Sequence, residues 1–300
     1  MNKIKGIGIP FSCHQSSCSN RKPKTFEWTD DDAEIEVWVD SAIPQAINLE
    51  RNPKVKRYAW LCESRAIIPQ IRNMFNHEDI FNSMVNSFDG IFTCENELVK
   101  MHEKIHFCLI GSNLPWIQEY KIHDKSKLVS FIASHKLFTQ GHHIRHELYK
   151  SIIKNKIDID VYGSITGNSF GHNPGCHLDG IKIEWHDKRE GMMDYMFSVV
   201  IENDQYDTYF TEKITDCFAT GTIPIYWGTK NIGEYFDTDG IIKLPDDPKE
   251  AIDIITSITK DDYYKRLESI RRNFETITTM ESADDMMFSK IKELHYEKSN

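Results

Sequence analysis

Thr211, Glu212 and Lys213 stand side by side in YFTEKITDCFATGTIPIYWG, the stretch from Tyr209 to Gly228. A short amphipathic run follows them, and an apolar run closed by Gly228 follows that. The spacing predicts a helix that starts at Thr211 or Glu212 and ends at Gly221, with a buried strand after it. Pro224 marks where that strand begins. At such an entrance the unpaired N–H groups and the positive end of the helix dipole suit a phosphate. Lys213 can neutralise phosphate oxygens, Glu212 can accept hydrogen bonds from a ribose diol, and Tyr209 can supply a ring face or a hydroxyl. A capped helix whose first-turn acid satisfies the dipole accounts for the same residues, and the local pattern leaves both readings open.

Two other stretches carry candidate chemistry. In SFIASHKLFTQGHHIRHELYKSI, Ser134 and His135 end an apolar strand, Gly141 sits in the turn, and Arg145 falls in the first turns of the next helix. A guanidinium there can grip a pyrophosphate with two parallel hydrogen bonds. His142 and His146 are one helical turn apart, but no HExxH pattern and no third ligand accompany them, so polar lining or plain surface is the better reading. In KRYAWLCESRAIIP, Glu63 stands where a strand gives way to a loop, a position from which a carboxylate could take a proton from a sugar hydroxyl. It could equally pair with Arg65 or act near a helix N-terminus. Asp158 and Asp160 alternate with Ile157, Ile159 and Val161 and read as strand residues rather than metal ligands. GIGIPF lacks a third glycine at dinucleotide-binding spacing.

These residues must be held by βα units. AEIEVWVD, RYAWLCE, GIFTCE and IHFCLIG read as strands, with helix expected after Pro69. Around QEYKIHDKSK the apolar density falls and charge rises, which places a domain boundary at 124/125. Beyond it the alternation restarts with LVSFIAS, HIRHELYKSIIKN and IDIDVYG, then a loop rich in Gly, Asn and His. The strand YMFSVVI follows and delivers Glu202 and Asn203 to its carboxyl end. Near the C-terminus, Asp247, Pro248 and Glu250 predict a capped helix with a capping box, and DDYYKRLESIRRNFETI a longer one. Strands alternating with helices imply parallel sheets, so the expected architecture is two α/β halves with a cleft between them.

Composition narrows the function classes. Three hundred residues, 40% hydrophobic and 27% charged with six tryptophans, can bury a real core. A net charge of −10 disfavours a general binder of nucleic acid or anionic membrane, so an anionic ligand would need a local basic cluster. The apolar stretch at the N-terminus is too short for a signal peptide and no segment reaches transmembrane length, which leads to the expectation of a soluble, cytoplasmic protein. Seven scattered cysteines, several in apolar surroundings, read as reduced and buried. Cys13 and Cys18 could bind a metal or form a disulfide, but no second pair at ligand spacing follows.

Taken together, YMFSVVIENDQYDTYFTEKITDCFATGTIPIYWG resembles the C-terminal signature of glycosyltransferase family 10, the α-1,3/1,4-fucosyltransferases, without a gap from Asn203 to Gly228. SHKLFTQGHHIRHELY and VYG are similar to the family's serine–asparagine…arginine segment and the strand after it, and WLCES loosely matches its tryptophan…glutamate–serine element. The resemblance implies a GT-B fold, two Rossmann-like α/β domains facing a central cleft, with residues 1–124 binding the acceptor and 125–300 binding a nucleotide sugar, usually GDP-fucose. By matched position, Arg145 and Lys213 would hold the pyrophosphate, Glu212 the ribose, and Asn203 and Tyr209 the donor's length. Ser134, Glu202 and Gly228 complete the donor-side set. Glu63 matches the proposed general base of an inverting displacement that needs no metal or other cofactor. The implied partners are a nucleotide-sugar donor and a glycan acceptor. Met196 stands where the family usually has lysine, and His135 where it has asparagine. The alternatives are a related transferase using another GDP- or UDP-sugar, and an inactive glycan- or nucleotide-binding module.

Overall fold

Strand β11 (Tyr195–Ile201) is buried at every position, and that dictates its place in the sheet. A near-continuous apolar run belongs in the middle of a parallel sheet covered on both faces. The computed structural model, which describes residues 1–8, 10–13, 21–166, 175–176, 182–183 and 188–296, sets β11 between β7 (Lys127–Ile132) and β12 (Ile223–Trp227). The edges of this five-stranded sheet are β8 (Asp160–Tyr162) and β13 (Ile242–Lys243), and all its pairings are parallel. The order β13-β12-β11-β7-β8 reverses direction between β7 and β11, so the loops leaving those two strands part at their carboxyl ends. Such a switch point is where open α/β sheets bind ligands. Ser130 and Ser198 are opposite one another in the register of β7 and β11, and their hydroxyls bond at 3.0 Å, which satisfies the two polar groups in the buried centre.

The first sheet is also parallel throughout, with order β2-β1-β3-β4-β5-β6. Its strands are β1 (Asn2–Ile7), β2 (Phe26–Thr29), β3 (Ile35–Val39), β4 (Lys56–Trp60), β5 (Gly90–Thr93) and β6 (Ile105–Phe107). The last four match the strands expected from the sequence. β1 alternates its apolar residues with lysine, and β2 is four residues long, so neither stands out locally. Helices α1 (Ile43–Ile47), α2 (Pro69–Met74), α3 (Glu78–Ser87) and α4 (Asn96–Val99) join these strands. Their buried faces meet Trp38, Ala59, Ile91 and Ile105 in one core.

In the second half, α5 (Gln140–Asn155), α6 (Glu212–Thr220), α7 (Pro248–Ser257), α8 (Lys260–Tyr264) and α9 (Leu267–Thr279) accompany the sheet, along with an antiparallel pair, β9 (Gly175–Cys176) and β10 (Lys182–Ile183). Leu148 of α5, Ile255 of α7 and Ile270 of α9 share a core with Phe131, Phe197 and Ile225. Each such buried side chain contributes roughly 1.5–3 kcal/mol. Asp247 caps α7 by accepting from the N–H groups of Lys249 and Glu250 at 2.9 Å. A reciprocal capping box forms one helix later, between Thr259 and Asp262. The long helix expected over residues 261–277 is two helices, α8 and α9, because the chain leaves helical geometry at Arg266.

The last helix, α10 (Ala283–Tyr296), belongs with the first sheet. Met287, Phe288 and Ile291 are buried, and Phe288 meets Phe26 of β2 with ring centroids 5.1 Å apart. Asp284 accepts from Ser12 Oγ at 2.5 Å and from Trp28 Nε1 at 2.7 Å. Asp285 accepts from the N–H groups of Lys24 and Thr25, at 2.9 Å in each case. The chain therefore divides into a first unit of Met1–Asn113, Asp207–Tyr209 and Glu281–Asn300, and a second of Leu114–Tyr206 and Phe210–Met280. The boundary read from the sequence lay at 124/125 and assigned the last helix to the second half. A helix brought back from the far end of the chain leaves no local signature of its destination. Among the described residues, no helix is long and apolar enough to cross a membrane.

Candidate active site

Three neighbouring strands of the second unit end on expected site residues: Ser134 just beyond β7, Glu202 and Asn203 beyond β11, and Gly228 directly after β12. Parallel pairing sends all three carboxyl ends to one edge. Helix α5 starts at that edge, capped by Thr139, whose hydroxyl accepts from the His142 N–H at 3.3 Å. Gly141, in its first turn, donates its N–H to the Asn203 carbonyl at 3.2 Å. A Cβ at Gly141 would lie 1.7 Å from the Glu202 carbonyl oxygen, so only glycine allows this helix to approach the end of β11 so closely.

That approach carries Arg145 to β11. Its Nε donates to the Ile201 carbonyl at 3.1 Å, a terminal nitrogen donates to the same oxygen, and that nitrogen also reaches Asn203 Oδ1 at 3.0 Å. Arg145 and Asn203, 58 residues apart, thus form one assembly, with the guanidinium buried. His142 is spoken for locally: its Nδ1 meets Thr139 Oγ1 at 2.8 Å. Burial, helped by the Arg145 charge, pushes its pKa down to about 3, so the ring is neutral. His146 Nε2 lies 3.2 Å from the His135 carbonyl. Among the described residues no group of three or more His, Cys, Asp or Glu side chains could hold a metal ion. Cys18 lies outside them, as does most of the loop rich in Gly, Asn and His.

Helix α6 begins where the sequence indicates, with Thr211 as N-cap and Gly221 in the left-handed region at φ 72° ending it. The fully buried Glu202 carboxylate holds the entrance, accepting from Thr211 N at 2.8 Å and Thr211 Oγ1 at 2.7 Å. A carboxylate at the positive end of a helix is electrostatically favoured. Lys213 Nζ donates to Thr211 Oγ1 at 3.0 Å and lies 3.5 Å from Glu202 and 3.4 Å from Glu212. Gly228 packs against this group: a Cβ there would be 2.8 Å from Glu202 Cγ and 2.2 Å from the Tyr226 hydroxyl. The result is a compact cluster of alternating charge at the sheet edge. Its parts are Arg145 with Asn203, and Glu202 with Thr211, Lys213 and Glu212.

Sequence reasoning missed two members. Lys188 donates to Glu212 Oε1 at 3.2 Å and to Asp216 Oδ2 at 3.0 Å. Asp216 Oδ1 accepts from the N–H groups of Trp116 at 2.6 Å and Ile117 at 3.0 Å. One signal was available: Asp216 lies one turn beyond Glu212 on an otherwise buried helix, and two buried acids on one face call for a cation. Nothing in HDKREG marks Lys188 as that cation.

In the first unit, Glu63 lies three residues beyond β4, and Asp40 follows the neighbouring strand β3 directly. Asp40 Oδ1 accepts from the N–H groups of Cys62 at 2.8 Å and Glu63 at 3.2 Å, which pins the backbone that carries Glu63. Asp40 itself has φ 46°, in the left-handed region that aspartate tolerates better than most residues. Burial, with the Glu63 charge nearby, raises its pKa to about 7. Arg65 pairs with Glu95 at 2.9 Å. Tyr209 is buried and belongs to this unit, while Met196 is buried in the core of the other.

Two parallel α/β sheets are the architecture of GT-B glycosyltransferases, and solved structures bear this out. A crystal structure of an α1,3-fucosyltransferase superposes over 94% of this chain and 91% of its own at a TM-score of 0.54 and 17% identity. One with GDP-fucose superposes over 93% and 91% at 0.53, also at 17% identity. The model of glycosyltransferase family 10 (fucosyltransferase), C-terminal part, matches residues 122–298, and the chain belongs to that family. The α-(1,3)-fucosyltransferase FucT of Helicobacter pylori is 32% identical over 133 residues, which are 44% of this chain and 24% of that protein. An α-(1,4)-fucosyltransferase of Arabidopsis thaliana is 30% identical over 71 residues, 23% of this chain and 18% of the plant protein. The matched stretches span a quarter or less of these curated relatives.

Proposed function

We propose that the protein is an inverting glycosyltransferase that moves fucose from GDP-fucose to a hydroxyl of a glycan acceptor. The observation that carries the reading is the cluster at the carboxyl edge of the second sheet, where Arg145 and Lys213 flank acidic and amide groups at a helix entrance. A net charge of −10 makes such a local basic pair the natural place for a diphosphate. Family membership supports the sugar class, and relatives crystallised with GDP and with GDP-fucose support the donor.

In this reaction Glu63 takes the proton of the acceptor hydroxyl as its oxygen attacks the anomeric carbon from the face opposite GDP. The carbon–phosphate-oxygen bond breaks, and its electron pair leaves with the nucleotide. Arg145, Lys213 and the N-terminus of α6 stabilise the charge growing on the departing phosphate, with no metal or bound cofactor required. Glu212 takes the ribose hydroxyls, Asn203 and Tyr209 lie along the donor, and Ser134, Glu202 and Gly228 shape the edge that holds it.

Calorimetric titration with GDP, GDP-fucose, GDP-mannose and UDP-glucose in EDTA tests this. Preferential binding of GDP-fucose is the expected result. Preference for another nucleotide sugar would overturn the fucose assignment, and binding of none would favour an inactive module.

A further inference from the structure

Lys188 is a buried charge held between two carboxylates. Its side chain is 12% exposed, and its ammonium touches two carboxylates whose own side chains are 9% and 0% exposed, Glu212 and Asp216. It also sits over the Trp116 ring, 5.1 Å from the centroid. Burial works against a charged lysine here, but Asp216 and Glu212 outweigh it and hold the Lys188 pKa above the ordinary lysine range.

Lys213 lies on the other side of Glu212, 3.4 Å from the same oxygen that Lys188 holds. The two lysines differ in their commitments. Lys213 is shared among Glu202, Glu212 and the Thr211 hydroxyl and is 25% exposed. Lys188 is inside, on the far carboxylates. We propose that Lys188 is a positioning residue for the nucleotide's sugar: it holds and aims the Glu212 carboxylate while Lys213 turns to the diphosphate. The assignment rests on the nucleotide reading of this site. Asp216 ties the arrangement to the chain at Trp116 and leaves Lys188 one fixed place to stand.

A purely structural ion pair would affect folding and all ligands alike, whereas a positioning role depends on the ribose diol. The test compares GDP with 2′,3′-dideoxy-GDP by calorimetry, in the wild type and in Lys188→Met. The wild type should bind GDP more tightly, and Lys188→Met should weaken GDP about tenfold while leaving the dideoxy analogue unchanged. Lys188→Arg, which keeps the charge on Glu212 and Asp216, should restore the affinity for GDP. Should Lys188→Met fail to fold, Lys188→Met combined with Asp216→Asn removes one charge of each sign, keeps the acceptor for Trp116 and carries the same expectation. Equal GDP affinity in wild type and variant, or equal losses for both ligands, would overturn the role of Lys188 while the nucleotide site stands. A wild type that binds neither ligand would overturn the nucleotide reading, and the role with it.

Discussion

The two units use one sheet type to opposite electrostatic ends. In the first, buried charge is dispersed into structure: Arg57 pairs with Glu36 at 2.5 Å, Asp284 takes Ser12 and Trp28, and Asp285 caps the backbone of Lys24 and Thr25. In the second, Glu202, Glu212, Asp216, Lys188, Lys213 and Arg145 gather at one end of three strands. A buried ion network is expensive to build and adds little stability by itself. Concentrating it at a switch point makes sense when a charged ligand completes it. The edge of the first sheet instead carries two acids on adjacent strands' ends, Asp40 and Glu63, with the Asp40 carboxylate holding the Glu63 backbone. Under the proposed function, the charged cluster of the second unit would serve the donor's diphosphate and Glu63 of the first the acceptor's proton.

The strongest test of that division is Glu63→Gln. Turnover should fall by about 10²–10⁴, the usual worth of a general base, with GDP affinity unchanged in the same titration. A loss of affinity would break the comparison, and full turnover would remove Glu63 as base. Lys213→Ala should do the reverse, weakening GDP by about 1.5–3 kcal/mol through loss of a charge-assisted contact, as read by calorimetry. Unchanged affinity would strip the second unit of its assigned role. Gly141→Ala forces a Cβ into the Glu202 carbonyl and should cost about 1–3 kcal/mol of stability by denaturant titration. A variant as stable as the wild type would show that α5 tolerates a looser seat.

A further effect concerns pH. Asp40 has a folded pKa near 7 against an ordinary 3.8, so the folded chain holds a proton that the unfolded chain releases earlier. Its contribution to stability is full below about pH 4 and is lost as pH rises through about 7. Relative to Asp40→Asn, which keeps the acceptor and tolerates φ 46°, the wild type should lose about 2–3 kcal/mol between pH 5 and 8. Parallel denaturation curves at the two pH values would sever Asp40 from the acidic pair.

Much of this was legible in the residues. Period-two and continuous apolar runs marked β3, β4, β5, β7, β11 and β12, and the cap residues Thr211 and Gly221 bounded α6, because each signal lies within one element. Glu212 and Lys213 could be suspected for the same reason: they are adjacent, and the helix dipole they border is a local property. The partners of those residues were decided elsewhere. Arg145 meets Asn203 because β7 and β11 pair across the switch point, and Gly141 matters because α5 then presses on the Glu202 backbone. Lys188 reaches Glu212 from a segment with no motif at all, and α10 crosses the length of the chain to close the first sheet. Periodicity, capping and composition are properties of neighbours along the chain. A buried charge needs a counter-charge that only folding can bring within 3–4 Å.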